Sequence, residues 1–143
     1  MFPNDYDFTT DWFDHNIPTW ERVVKPNLDS AGNRRFLEIG SFEGRSTAWI
    51  VENLASKEEA VIVDCIDTWT GGEEHQDISM QDVLKRFNNN CSILKERFKN
   101  VTIFSHIGES FYSLLEIMTD YYKTTYDFVY IDGSHQAKDV MAD

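Results

Sequence analysis

The stretch Glu38-Ile39-Gly40-Ser41-Phe42-Glu43-Gly44-Arg45-Ser46-Thr47 places a carboxylate, two glycines and several hydroxyls directly behind a short apolar run. Glycines in such a turn let the backbone approach a ligand, and the remaining residues say which ligand is compatible. A dinucleotide turn needs G-x-G-x-x-G, but its second glycine position holds Phe42 and its third holds Arg45. A phosphate loop needs G-x-x-x-x-G-K; counted from Gly40, Arg45 takes the second glycine's place and no lysine follows. What remains is an acid followed by G-x-x-x-G. A carboxylate at Glu38 repels a pyrophosphate and suits a ligand carrying an ammonium or sulfonium. Helix capping and pairing with Arg45 are the competing roles for that acid. Asp67 ends a second apolar run 23 residues after Gly44, about where an acid accepts hydrogen bonds from ribose hydroxyls, and its two oxygens can chelate a vicinal diol. Asp64 competes for that role but lies inside the run. Asp132 ends a later run, and His135 beyond it is either a general base or a surface histidine.

These residues need a scaffold, and the hydrophobic pattern supplies one. Arg35-Phe36-Leu37-Glu38-Ile39 reads as a buried strand. Residues 45–55 place Ala48, Val51, Leu54 and Ala55 at helical spacing, and residues 60–66 read as the second strand. A loop over 68–78 precedes a helix over 79–98, with Met80, Val83, Leu84 and Phe87 on one side. Val101-Thr102-Ile103-Phe104 is the third strand, Phe111, Leu114, Leu115 and Met118 mark the next helix, and residues 126–131 form the fourth strand. Strand and helix in strict alternation imply a parallel α/β sheet, doubly wound and Rossmann-like. Residues 1–34 read as an N-terminal helical appendage, with Pro18 in a first turn and Trp20 and Val23-Val24 at helical spacing, a short amphipathic helix covering a core edge. Residues 35–143 read as the domain, with four strands present, a further helix opening at Ser134, and later strands missing. The open edge beside the fourth strand offers pairing to a second copy, making a homo-oligomer an expectation.

Composition narrows the class. The 143 residues carry 25 acidic and 13 basic side chains, a net charge of -12, and no basic run longer than Arg34-Arg35, which argues against nucleic acid as a partner. With 41% apolar residues the chain supports a packed core, so disorder is excluded. Cys65 and Cys91 form neither a disulfide framework nor a metal-ligand spacing. The N-terminus lacks the pattern of a secretory signal, and no apolar run is long enough to span a membrane, so a cytoplasmic location without membrane attachment is expected. Glu73-Glu74-His75-Gln76-Asp77 has metal-binding residue types but reads as a solvated acidic loop.

Three segments in order, Phe36 to Thr47, Cys65-Ile66-Asp67-Thr68-Trp69 and Tyr130-Ile131-Asp132-Gly133-Ser134-His135, resemble class I S-adenosylmethionine-dependent methyltransferases, in particular a subgroup acting on small molecules or sugars. The resemblance implies that Glu38, Gly40, Ser41, Gly44 and Ser46 cradle the cofactor's methionine part. It further implies cofactor contacts from Asp67, Thr68, Trp69, Glu109 and Ser110, with Trp69 either stacking on adenine or covering the core. Asp132 then faces the methyl-transfer position as base or as ligand of a divalent metal such as magnesium, with His135 beside it, and the acceptor is a small molecule carrying a hydroxyl. A non-catalytic cofactor-binding module is the rival reading, and a nicotinamide-linked oxidoreductase is disfavoured by the failed dinucleotide turn.

Overall fold

The structure is a computed structural model that describes residues 5–28, 32–72, 77–120 and 125–133. Four apolar runs become four strands, β1 (Arg35–Ile39), β2 (Val61–Asp67), β3 (Val101–Ile107) and β4 (Phe128–Ile131). All pair in parallel in the order β3-β2-β1-β4. The chain therefore moves outward from β1 to β3 and then returns to the far side of β1. That reversal makes the carboxyl ends of β1 and β4 a topological switch point, the place where open α/β sheets receive ligands.

Helices cover both faces, as expected of a doubly wound sheet. On one face, α3 (Arg45–Asn53) and α4 (Met80–Arg97) bury Ala48, Ile50, Val51, Phe87 and Leu94 against Phe36, Val61, Val63 and Ile103. Ser79 caps α4 by accepting from the Asp82 N–H. On the other face, Ile117 of α5 (Ser110–Asp120) packs on Leu37, Ile39 and Ile66.

One expectation needs correction here. β3 continues past Phe104 to Ile107, because Ser105, His106 and Ile107 find ladder partners in Cys65, Ile66 and Asp67. The inward stripe of α5 is Ser113 and Ile117 with Leu114 alongside, whereas Phe111, Leu115 and Met118 are exposed. Val129 and Ile131 on β4 are exposed as well.

The N-terminal residues are built into the core. Short helical turns α1 (Ile17–Thr19) and α2 (Lys25–Asn27) flank a wider π-type turn, Trp20–Val24, and Pro18 occupies the first turn of α1. Trp20 is 6% exposed and meets Phe13, Trp49, Phe128 and Tyr130 edge-on, with ring centroids 4.7 to 5.4 Å apart. Such edge-to-face pairs add to the gain from burial itself. Among the described residues no helix is long and apolar enough to cross a membrane.

If the N-terminal residues are part of the core, Trp20→Ala should lower the unfolding free energy by about 3 kcal/mol or more. A solvated appendage would lose no more than about 0.5 kcal/mol, and urea unfolding of the two proteins separates the cases.

Candidate functional site

β1 delivers its last residues into a turn whose shape is set by backbone geometry. Gly40 and Gly44 have φ of +88° and +79°, and Phe42 also lies in the left-handed region at +47°. A Cβ on Gly40 would stand 2.0 Å from the carbonyl oxygen of Asp132, so glycine is required where the mouths of β1 and β4 meet. The contact is sealed by the Asp132 N–H donating to Ile39 O at 2.8 Å, while the Gly40 N–H donates to Ile66 O at 2.8 Å. Gly40, Asp67 and Asp132 thereby stand at the ends of three adjacent parallel strands.

Beneath the turn, Glu38 is fully buried, and its two carboxylate oxygens accept the hydroxyls of Ser46 and Thr47 in the first turn of α3. The acid therefore ties the strand to the helix; Arg45, the alternative partner, goes to Asp14 instead. Ser41 Oγ is buried beside Glu38 and makes no hydrogen bond of normal geometry.

Asp67 stands half-buried at the mouth of β2. Its Oδ2 accepts the Phe42 N–H at 2.9 Å and its Oδ1 the Trp69 N–H at 2.8 Å, and Trp69 Nε1 returns a bond to Phe42 O at 2.9 Å. This closed set of bonds fixes the turn to the end of β2. The Trp69 ring is 6% exposed and packs on Phe87 at 4.7 Å, so it covers the core, the second of its two expected roles. Thr68 Oγ1 accepts the Thr70 hydroxyl at 3.0 Å. Beyond β3, Gly108 N–H extends the ladder to Asp67 O, Glu109 is exposed, and Ser110 begins α5.

Asp132 is exposed at the mouth of β4, and its Oδ2 accepts the Tyr130 hydroxyl at 2.8 Å. Tyr130 Oη in turn accepts from Asn16 Nδ2 at 3.3 Å. Burial, then the adjacent Asp132, pushes the Tyr130 hydroxyl far above its ordinary range, so it remains a donor. Ser134, His135 and the residues 73–76 containing His75 lie outside the described residues. Among the described residues no group of three or more His, Cys, Asp and Glu side chains is placed to hold a metal ion, so Asp132 stands without a donor set for magnesium there.

The competing acid has a different role. Asp64 is 1% exposed on the α5 face, where it meets His106 Nε2 at 3.0 Å, the Tyr126 hydroxyl at 3.1 Å and Arg35 Nη2 at 3.4 Å. Its position inside an apolar run already separated it from the mouth. His106 and Tyr130 were not singled out from sequence; the only available signal was their place within two residues of a strand end.

Glu38 gives the site a measurable titration. Burial pushes its carboxyl from the ordinary 4.5 up to about 7, against the Ser46 and Thr47 hydroxyls that favour the anion, and the charge at Asp132 adds to the rise. The unfolded chain releases this proton near 4.5 and the folded chain near 7, so stability falls as pH rises through that window, with no cost below it and a constant cost above. The fall is of order 3 kcal/mol. Glu38→Gln should remove that slope, seen as a variant-minus-parent difference in urea unfolding free energy that grows from pH 4.5 to 7.

A family profile described as a methyltransferase domain matches residues 37–143. No curated protein matches the chain. The matched residues begin within β1 and take in the turn, Asp67 and Asp132, on a parallel sheet consistent with a Rossmann-like methyltransferase fold. By this match over most of its length, the chain belongs to the methyltransferase domain family.

Proposed function

We propose that the protein is an S-adenosylmethionine-dependent methyltransferase that acts on a hydroxyl oxygen of a small-molecule acceptor. The observation that carries this reading is the convergence at the switch point of the 40–45 turn, Asp67 and an exposed Asp132 on three neighbouring strand ends. The chemistry of these residues fits the cofactor. Ser41 offers a buried hydroxyl beside Glu38 that makes no hydrogen bond of normal geometry, Asp67 a carboxylate at the distance along the chain suited to a ribose, and the turn lacks the features a pyrophosphate requires.

When bound, S-adenosylmethionine supplies a methyl group already activated on a sulfonium, so the protein's work is alignment, water exclusion and management of one proton. Gly40 and Gly44 allow the turn's backbone to approach, and Glu38 holds that turn against α3 from below. Asp67, anchored by two backbone N–H groups, presents its remaining lone pairs at the mouth of β2. Tyr130 holds Asp132 Oδ2, leaving Oδ1 to accept the proton of the acceptor hydroxyl as the oxygen attacks. The balance is simple: an O–C bond forms, the S–C bond breaks with its electron pair staying on sulfur, and the hydroxyl proton goes to Asp132. No step is routed through magnesium.

Titration calorimetry with S-adenosylmethionine and, separately, NAD tests the cofactor: heat with the first and none with the second is expected, and the reverse overturns the proposal. Methyl transfer across a panel of hydroxylated small molecules tests the chemistry. Asp132→Asn should keep cofactor binding and lose transfer by about 10²- to 10⁴-fold. Binding without transfer to any acceptor would instead mark a non-catalytic module.

A further inference from the structure

Residues 8–16 lie ahead of the matched methyltransferase domain, yet they touch the side chains with which the G-x-x-x-G turn is filled. Glu43 is 1% exposed; the Thr9 N–H and hydroxyl donate to its two oxygens at 2.7 and 2.6 Å. Asp14 takes the Nε and Nη2 of Arg45 at 2.6 and 2.5 Å, a two-pronged pair, and Arg45 Nη1 reaches Thr10 O at 3.1 Å. Trp12 lies on Phe42 with centroids 5.0 Å apart. From the far side, Asn90 of α4 donates to Glu43 O at 2.9 Å and bonds both backbone groups of Asp7.

Phe42, Glu43 and Arg45 thus face the N-terminal residues, while the backbone of Phe42 and Glu43 lies in the turn and that of Arg45 opens α3. A buried carboxylate such as Glu43 needs its donors, and losing one leaves an unsatisfied group at a heavy cost. The turn's conformation therefore depends on a segment that is distant in sequence.

We propose that Thr9 and Asp14 are positioning residues for the cofactor turn, and that residues 8–16 form a clasp whose docking is thermodynamically linked to ligand binding at that turn. The inference rests on the S-adenosylmethionine reading above. Linkage is reciprocal: a ligand that orders the turn strengthens docking of the clasp, and a clasp that is weakened costs ligand affinity by the same factor.

The probe is S-adenosylhomocysteine, titrated by calorimetry into the full chain and its variants, with hydrogen exchange followed over residues 8–16. Thr9→Val and Asp14→Ala should each weaken binding at least about fivefold, the lower range of such couplings. Thr9→Ser, which keeps the hydroxyl, should restore it. Asp5→Ala is the control for a merely structural role, since Asp5 pairs with Arg97 away from the turn; it should lower the unfolding free energy while leaving affinity within about twofold. In the parent, exchange over 8–16 should slow when the ligand is added, a readout that needs no variant. The inference is overturned if Thr9→Val and Asp14→Ala bind as the parent does, if Asp5→Ala weakens binding equally, or if exchange over 8–16 ignores the ligand. A parent that binds no S-adenosylhomocysteine, while its 8–16 amides are protected without ligand, instead overturns the cofactor reading on which the linkage stands.

Discussion

A carboxylate removed from water organises this protein. Glu38 has no solvent exposure in the middle of a parallel sheet, where an ionised group costs several kcal/mol unless other dipoles replace its hydration. The replacements are the Ser46 and Thr47 hydroxyls, and both reach the acid only because α3 begins immediately after Gly44. The start of the helix, the left-handed Gly44 and the path of the turn are therefore one problem with one solution. Gly40 closes it from the other end, where the backbone of Asp132 leaves no room for a side chain. Together these constraints bring the mouths of β1 and β4 into contact at the switch point.

The turn is then held from two directions. Inward, Asp67 and Trp69 bond Phe42 through both its N–H and its carbonyl, fixing a residue at positive φ that would otherwise be strained. Outward, the side chains of Phe42, Glu43 and Arg45 meet the N-terminal residues. A turn bonded through both its backbone and its side chains is preorganised, and preorganisation lowers the cost of binding.

The sequence was most legible where one local pattern decides the outcome. All four strands were visible as short apolar runs, though only β1 and β2 are buried along most of their length, and Gly40, Asp67 and Asp132 were visible because strand ends follow from those runs. The end of β3 was hidden because Ser105 and His106 are polar and owe their strand conformation to pairing with Cys65 and Ile66. The helix α5 was legible but its inward face was not, because it carries more apolar residues than the sheet covers; Phe111 and Met118 fit a helical stripe as well as Ile117 does, and only packing chooses. The Thr9–Glu43 and Asp14–Arg45 contacts join residues more than thirty positions apart, which no periodicity reports. The N-terminal helix was legible as cover for a core edge, but not the extent of its packing, which brings Phe13 and Trp20 into the main core.

The acidic balance looks different once its members are located. A net charge of -12 would oppose compaction if the carboxylates were free to repel one another. Several are instead matched internally: Asp14 with Arg45, which holds its carboxyl below the usual range, Asp64 with Arg35 and His106, and Glu43 with Thr9 and Arg86. Glu38 is matched by two hydroxyls, and with burial raising its titration to about 7 its charge is not assured at neutral pH. Among the described residues, Asp67 and Asp132 stand at the ends of the two strands that flank β1. They differ in a way suited to different tasks. Asp67 is half-buried and pinned by two backbone donors, which fixes its direction, while Asp132 is exposed and held at one oxygen by the Tyr130 side chain. Two carboxylates at neighbouring strand ends attract a cation and repel a phosphate, and that electrostatic preference follows from where the sheet ends rather than from the total charge.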